Sequence, residues 1–232
     1  MDKPYLINIE PSLGQAEALI FVDGYLSDRG DTLAENYQWW TILRQAGWQG
    51  SIYYLWWDVA QFSPSLELLS QLGSEALPYW QRHRSYVKRI GKSFLPKLIA
   101  QEIPVPVVSL MGCSLGSRIA YYAMREWFEA KPILKDVILL GGMIQRDRTK
   151  NWSYAASNLN GTLFNVYNGE DLLLMRFSQI LGWERSPCGI KPIREVHPQI
   201  LNIDAAPLMK TASYSPKNYL SVLSQILKSS HP

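Results

Sequence analysis

The feature that most constrains this chain is a run of five residues, Gly112-Cys113-Ser114-Leu115-Gly116, set between two kinds of secondary structure. The stretch before it, Val105–Met111, is apolar and reads as a buried strand. The stretch after it, Ser117–Arg125, places small and apolar residues at helical spacing, and the helix is expected from about Ser114 to Glu129. The pattern G-x-S-x-G fits a nucleophile elbow, a sharp strand-to-helix turn that holds a serine in a strained backbone conformation. Gly112 and Gly116 are needed there because a side chain at either position would collide with neighbouring backbone. The free N–H groups at the helix start favour negative charge beside the serine. The structural alternative is a glycine-bounded turn in which Ser114 merely caps the helix.

The rest of the chain alternates apolar strands with amphipathic helices, which argues for a parallel sheet covered by helices. Strands are expected at Tyr5–Ile9 (an edge), Ala18–Gly24, Ser51–Trp57, Val105–Leu110, Asp136–Leu140, Thr162–Tyr167 and Ile200–Ile203. Helices are expected over 31–46 and 171–181, and from the Ser215-Pro216 cap to about Lys228. At 232 residues this is one α/β domain spanning 1–232, with a mostly parallel central sheet and helices on both faces. The region 63–101, interrupted by Gly73, Pro78, Gly91 and Pro96, reads as a helical insertion. It is either a cap over a pocket or one broken crossover helix.

Composition removes several classes of function. Net charge is +3 with the positives scattered, and the densest group, Arg82, His83, Arg84, Lys88, Arg89 and Lys92, is explained by one solvated helix face. No nucleic-acid partner is expected. Two cysteines and three histidines make no metal-ligand spacing and no disulfide framework, so no metal or cofactor is expected. Met1-Asp2-Lys3-Pro4 does not open a signal peptide, and no stretch reaches the ~18 apolar residues of a membrane span, so the expectation is a soluble cytoplasmic protein. Nine Trp and thirteen Tyr cluster as Trp39-Trp40, Tyr53-Tyr54, Trp56-Trp57 and Tyr121-Tyr122. They either fill the core or line an apolar acyl pocket.

If Ser114 is a nucleophile, its partners follow from chain order. One oxyanion donor is the N–H of Leu115. The other is expected from the loop Phe21–Ser27, where Gly24 permits close approach and Tyr25 supplies the amide. The orienting acid belongs after Thr162–Tyr167, which selects Asp171, with Glu170 as fallback; Asp171 serves equally as a helix N-cap. The base should follow the acid. His231 sits at a frayed end, which leaves His197. His197 precedes Ile200–Ile203, whereas the base belongs after the last strand; it is well placed only if that strand is instead Ile193–Val196.

With these residues in hand the chain resembles the α/β-hydrolase superfamily. More narrowly, it is similar to the group related to the transmembrane and coiled-coil domain-containing hydrolase-like proteins. The matching pieces are Val22–Ser27, Trp56-Trp57, Gly112–Arg118, Asn165–Asp171 and Asn202–Asp204, within about residues 18–225. The resemblance implies a serine-hydrolase fold with no settled substrate. It also implies a Gly-His pair followed by Tyr after the last strand, where this chain reads Ala212-Ser213-Tyr214-Ser215 before Tyr219.

Three functional readings follow. In the first, Ser114 attacks an apolar acyl ester or thioester, with His197 as base and Asp171 orienting it. In the second, the fold is a binding or scaffold module for a protein partner, since the final loop lacks histidine and a serine without a base is a weak nucleophile. The third, ranked below both, lays the 63–101 helices on a membrane surface through Tyr79, Trp80, Tyr86 and the basic face.

Overall fold

A computed structural model of the chain describes residues 3–24, 32–58, 71–128, 132–181, 186–209 and 215–230. Seven strands form one sheet: β1 (Tyr5–Glu10), β2 (Glu17–Val22), β3 (Ser51–Trp56), β4 (Val107–Cys113), β5 (Ile133–Leu140), β6 (Leu163–Tyr167) and β7 (Ile200–Asp204). Their order is β1-β3-β2-β4-β5-β6-β7. Only β1 runs antiparallel, pairing with β3 at the edge.

The strands are apolar on both sides because both sides are covered. Successive residues of β2 show it. Ala18, Ile20 and Val22 join one core; Leu19 and Phe21 join the other. The first core lies beneath α2 (Ala76–Arg89), α3 (Leu95–Glu102), α4 (Leu115–Arg125) and α5 (Trp152–Ala156). The second lies beneath α1 (Thr32–Gln45) and α7 (Leu220–Ser230). A short helix, α6 (Leu172–Ile180), follows β6.

The interrupted region is described from residue 71. A 3-10 turn at Gly73–Glu75 leads into α2, a π-helical stretch at Ile90–Phe94 and then α3, without a break in the helical path. Pro78 and Pro96 lie in the first turns of α2 and α3, where a missing N–H leaves no bond unmade. Gly91 lets the helix press on α4: a Cβ there would stand 2.4 Å from the Ile119 carbonyl oxygen. Val87, Ile90, Leu95 and Ile99 are fully buried against the sheet. Residues 76–102 therefore pack on the sheet within the crossover between β3 and β4, and residues 63–70 of the expected insertion lie outside the described residues. Trp80 and Tyr86 point into this core, so they do not stud an exposed basic face as the membrane-surface reading supposed.

Two of the strand ends that differ from expectation bear on the site. β4 continues past Leu110 to Cys113, because Met111, Gly112 and Cys113 pair with Ile138, Leu139 and Leu140. β7 is Ile200–Asp204, so the alternative strand at Ile193–Val196 is not formed.

Candidate functional site

Ser114 is the single residue between β4 and α4, at φ 52° and ψ −115°. Among the described residues only it and Asn151 hold positive φ without being glycine. Such a conformation costs about 1–3 kcal/mol and persists only where the surroundings enforce it. Three backbone hydrogen bonds do so. Its N–H donates to Leu140 (2.9 Å), and its carbonyl accepts from Ser117 (3.2 Å) and Met143 (3.3 Å). The hydroxyl makes no capping bond to α4, which removes the reading of Ser114 as a plain N-cap. The residue is 8% exposed.

The glycines around it are spacers for backbone. A Cβ on Gly116 would sit 2.1 Å from the Val22 carbonyl oxygen, and one on Gly24 would sit 2.5 Å from the Leu115 nitrogen. The loop leaving β2 thus lies directly on the first turn of α4, beside the Leu115 amide. Gly112 has the same constraint against Ser117, at 2.6 Å. Tyr25 lies outside the described residues.

Asp23, at the end of β2, has no role in the sequence reading, yet it stands at the joint. Its carboxylate accepts from the Gly24 N–H at 2.7 Å, and its carbonyl accepts from Trp57 Nε1 at 2.8 Å. The buried Trp57 thereby fixes the turn that faces Leu115. The only sequence signals were an aspartate closing an apolar strand and a tryptophan pair closing the next.

Asp171 follows β6 and is 4% exposed, whereas Glu170 is exposed. Its Oδ1 accepts from the Leu174 N–H at 2.8 Å, so it does cap α6. Asp23 and Asp171 leave strands on opposite flanks of β4, and both act on the Cys113 thiol. Burial pushes that thiol well up from its ordinary range, and the two carboxylates push it further. Tyr219 is likewise pushed well up, by burial first and then by Cys113 and Asp171.

One wall beside the serine is built from two segments. The Cys188 N–H donates to Ile144 (2.8 Å), that of Gly189 to Gly142 (3.0 Å), and that of Asn168 to Gly189 (2.8 Å). Asn165, inside β6, holds this wall to the sheet. Its Nδ2 donates to the Cys188 carbonyl at 3.0 Å and to Asn202 Oδ1 at 2.9 Å.

His197 is not brought to the serine. Ile200 is level with Leu163 of β6, hence with Val137 of β5 and Leu110 of β4. Three strand spacings across and four residues up separate Ile200 from Ser114, roughly 20 Å. His197 precedes Ile200, at the N-terminal edge of the sheet, and its Nδ1 accepts from the Gln199 N–H at 3.3 Å. The expectation of His197 as base is therefore corrected by the position of β7. His231 and residues 210–214 of the final loop lie outside the described residues. A cleft of about 410 Å³ between Gln15, Glu17, Val107 and Lys135 also opens at that N-terminal edge, away from Ser114.

A mostly parallel sheet of this order, covered on both faces, with a serine at the joint after its central strand, defines the α/β-hydrolase fold. A lipase-esterase related protein from Clostridium acetobutylicum superposes with TM-score 0.53 at 12% identity, over 97% of this chain and 98% of that one. Mouse alpha/beta hydrolase domain-containing protein 10 gives 0.48 at 11% identity, over 97% and 93%. Residues 19–229 match the family described as "Protein of unknown function (DUF726)", and the chain belongs to that family. An uncharacterized membrane protein of Schizosaccharomyces pombe is 31% identical over 145 residues, 61% of this chain and 18% of that protein. Among the described residues no helix is long and apolar enough to cross a membrane.

Proposed function

We propose that this chain is a serine hydrolase of attenuated type, with Ser114 as the nucleophile of a site for apolar acyl esters. The observation that carries this reading is the strained, uncapped Ser114 between β4 and α4. A fold that only needed a turn there would adopt glycine at no strain. Ser114 Oγ attacks the acyl carbonyl carbon, and the oxyanion is received by the N–H groups of Leu115 and Tyr25. The intermediate collapses by expelling the alcohol, and water then hydrolyses the acyl-serine. Asp171 is the carboxylate at the triad position. Among the described residues no imidazole is brought to the hydroxyl, and its proton passes to water. The rate then rests on the oxyanion site and binding, which supply about 10³–10⁴ over water where a triad is incomplete. The Val22–Ser27 and Gly112–Arg118 segments support kinship with the transmembrane and coiled-coil domain-containing hydrolase-like proteins.

A second reading, a binding module on a hydrolase fold, is favoured by the position of His197 at the far edge of the sheet. Short-chain p-nitrophenyl esters separate the two. The hydrolase reading expects a slow stoichiometric burst followed by slower turnover, both lost in Ser114→Ala. Release equal in wild type and Ser114→Ala sinks it and leaves the binding module.

A further inference from the structure

At the N-terminal end of the sheet, on the face covered by α1 and α7, three strands each set one residue in a row. Glu17 of β2 stands level with Val107 of β4, and Val107 with Ile133 of β5. Their neighbours Ala18, Val108 and Leu134 join the first core, so Glu17, Val107, Ile133 and Lys135 face the other side. The cleft of about 410 Å³ is lined by these four residues. That volume lies within the range of small-molecule sites, roughly 300–1,000 Å³. Val107 and Ile133 make part of the lining apolar, and Ile133 keeps 42% of its surface exposed.

Lys135 is aimed by a bulge. Leu134 and Val137 both join the first core although they are three residues apart, because β5 carries one extra residue between its pairings with Val108 and Leu110. Neighbouring segments pin the bulge. The Asp136 N–H donates to Ser109 Oγ at 3.3 Å, and the Asp136 carboxylate accepts from the Thr162 N–H at 2.7 Å. The Lys135 carbonyl accepts from the Gly161 N–H at 2.9 Å. Glu17 is fixed from the opposite flank. Its side chain is only 10% exposed, and Gly50 leaves room for it: a Cβ at Gly50 would stand 2.9 Å from Glu17 Cγ.

The two charged side chains start two strand spacings apart, about 10 Å, and reach over β4 until Lys135 Nζ is 3.6 Å from Glu17 Oε2. A charge-assisted N–H···O bond closes to about 2.7–2.9 Å. Cation and anion are thus held side by side but apart, next to apolar surface, in an open cleft. Desolvating such a pair is offset only when further hydrogen bonds satisfy both charges. An anion alone would suit Lys135 and repel Glu17; an amine alone would do the reverse. An α-amino acid suits both. Its ammonium meets Glu17, its carboxylate meets Lys135, and its side chain lies on Val107 and Ile133.

We propose that this cleft binds a free α-amino acid with an apolar side chain. The site is at the sheet edge opposite Ser114 and stands whether or not Ser114 is a nucleophile.

Isothermal titration calorimetry of the full chain with L-leucine, L-methionine and L-phenylalanine tests the proposal. At least one is expected to bind one-to-one with a Kd below about 10 mM. Its N-acetyl derivative lacks the ammonium, and its primary amide lacks the carboxylate. Each should bind at least about tenfold more weakly, the loss expected for one charge-assisted hydrogen bond. Glu17→Gln and Lys135→Met should weaken the parent amino acid by a similar factor. Ile133→Asp, at an exposed position, should do so while the melting temperature stays at the wild-type value. No saturation by any of the three amino acids overturns the proposal. So does equal affinity for the N-acetyl and amide derivatives, or unchanged affinity in Lys135→Met.

Discussion

Ser114 holds a backbone conformation that glycine adopts freely and serine resists. Replacing it by glycine relieves about 1–3 kcal/mol of strain and adds about 0.5–1 kcal/mol of unfolded-state entropy. Ser114→Gly should therefore be no less stable than wild type in urea while losing all ester cleavage. A fall of more than about 1 kcal/mol would mean that the hydroxyl is structural. The two buried cysteines make a second residue-level prediction. Burial pushes Cys188 up to about 12 from an ordinary thiol value of 9.0. Between those values the unfolded chain binds fewer protons than the folded one, so stability falls as pH rises through that window. The slope of urea midpoint against pH should flatten in Cys188→Ala; an unchanged slope would deny the shift. Ser114, Leu115, Gly112 and Gly116 were readable from the sequence because strand, glycine and helix signals converge on five residues. Asp23 and Trp57 were not, because the Trp57 side chain meets the Asp23 carbonyl across 34 residues of sequence.

The elements explain why the serine is presented where it is. α4 starts against the loop that leaves β2, and the π-helical stretch that follows α2 is pressed onto α4 at Gly91. Gly116→Ala would set a Cβ 2.1 Å from the Val22 carbonyl oxygen, where neither backbone can give way. Over-packing of this kind costs about 1–3 kcal/mol or more. Thermal denaturation should register that loss, and ester cleavage should fall with it as the Leu115 amide moves. A Gly116→Ala protein with wild-type stability and rate would contradict the close approach. Most strands and helices were legible from apolar periodicity. The crossover was less so, because prolines and glycines that usually break helices here sit in first turns or at a helix–helix contact. That distinction depends on packing partners far away in sequence.

At the scale of the whole molecule, the mostly parallel sheet sorts the described candidate residues to one of two edges. Ser114, Asp23 and Asp171 leave the C-terminal ends of β4, β2 and β6; His197 stands before the N-terminal end of β7. Chain order alone could not reveal this, since it fixes sequence along the chain and not the edge of the sheet. His197→Ala should accordingly leave ester cleavage within about twofold of wild type, and a hundredfold loss would restore the histidine to the site. The central claim is that the Ser114 hydroxyl, which does not cap α4, is held ready for attack. Intact-mass spectrometry after hours with a fluorophosphonate tests it most directly. One adduct per chain, mapped to Ser114 and absent from Ser114→Ala, is the expected result. Folded protein that stays unmodified throughout would contradict it.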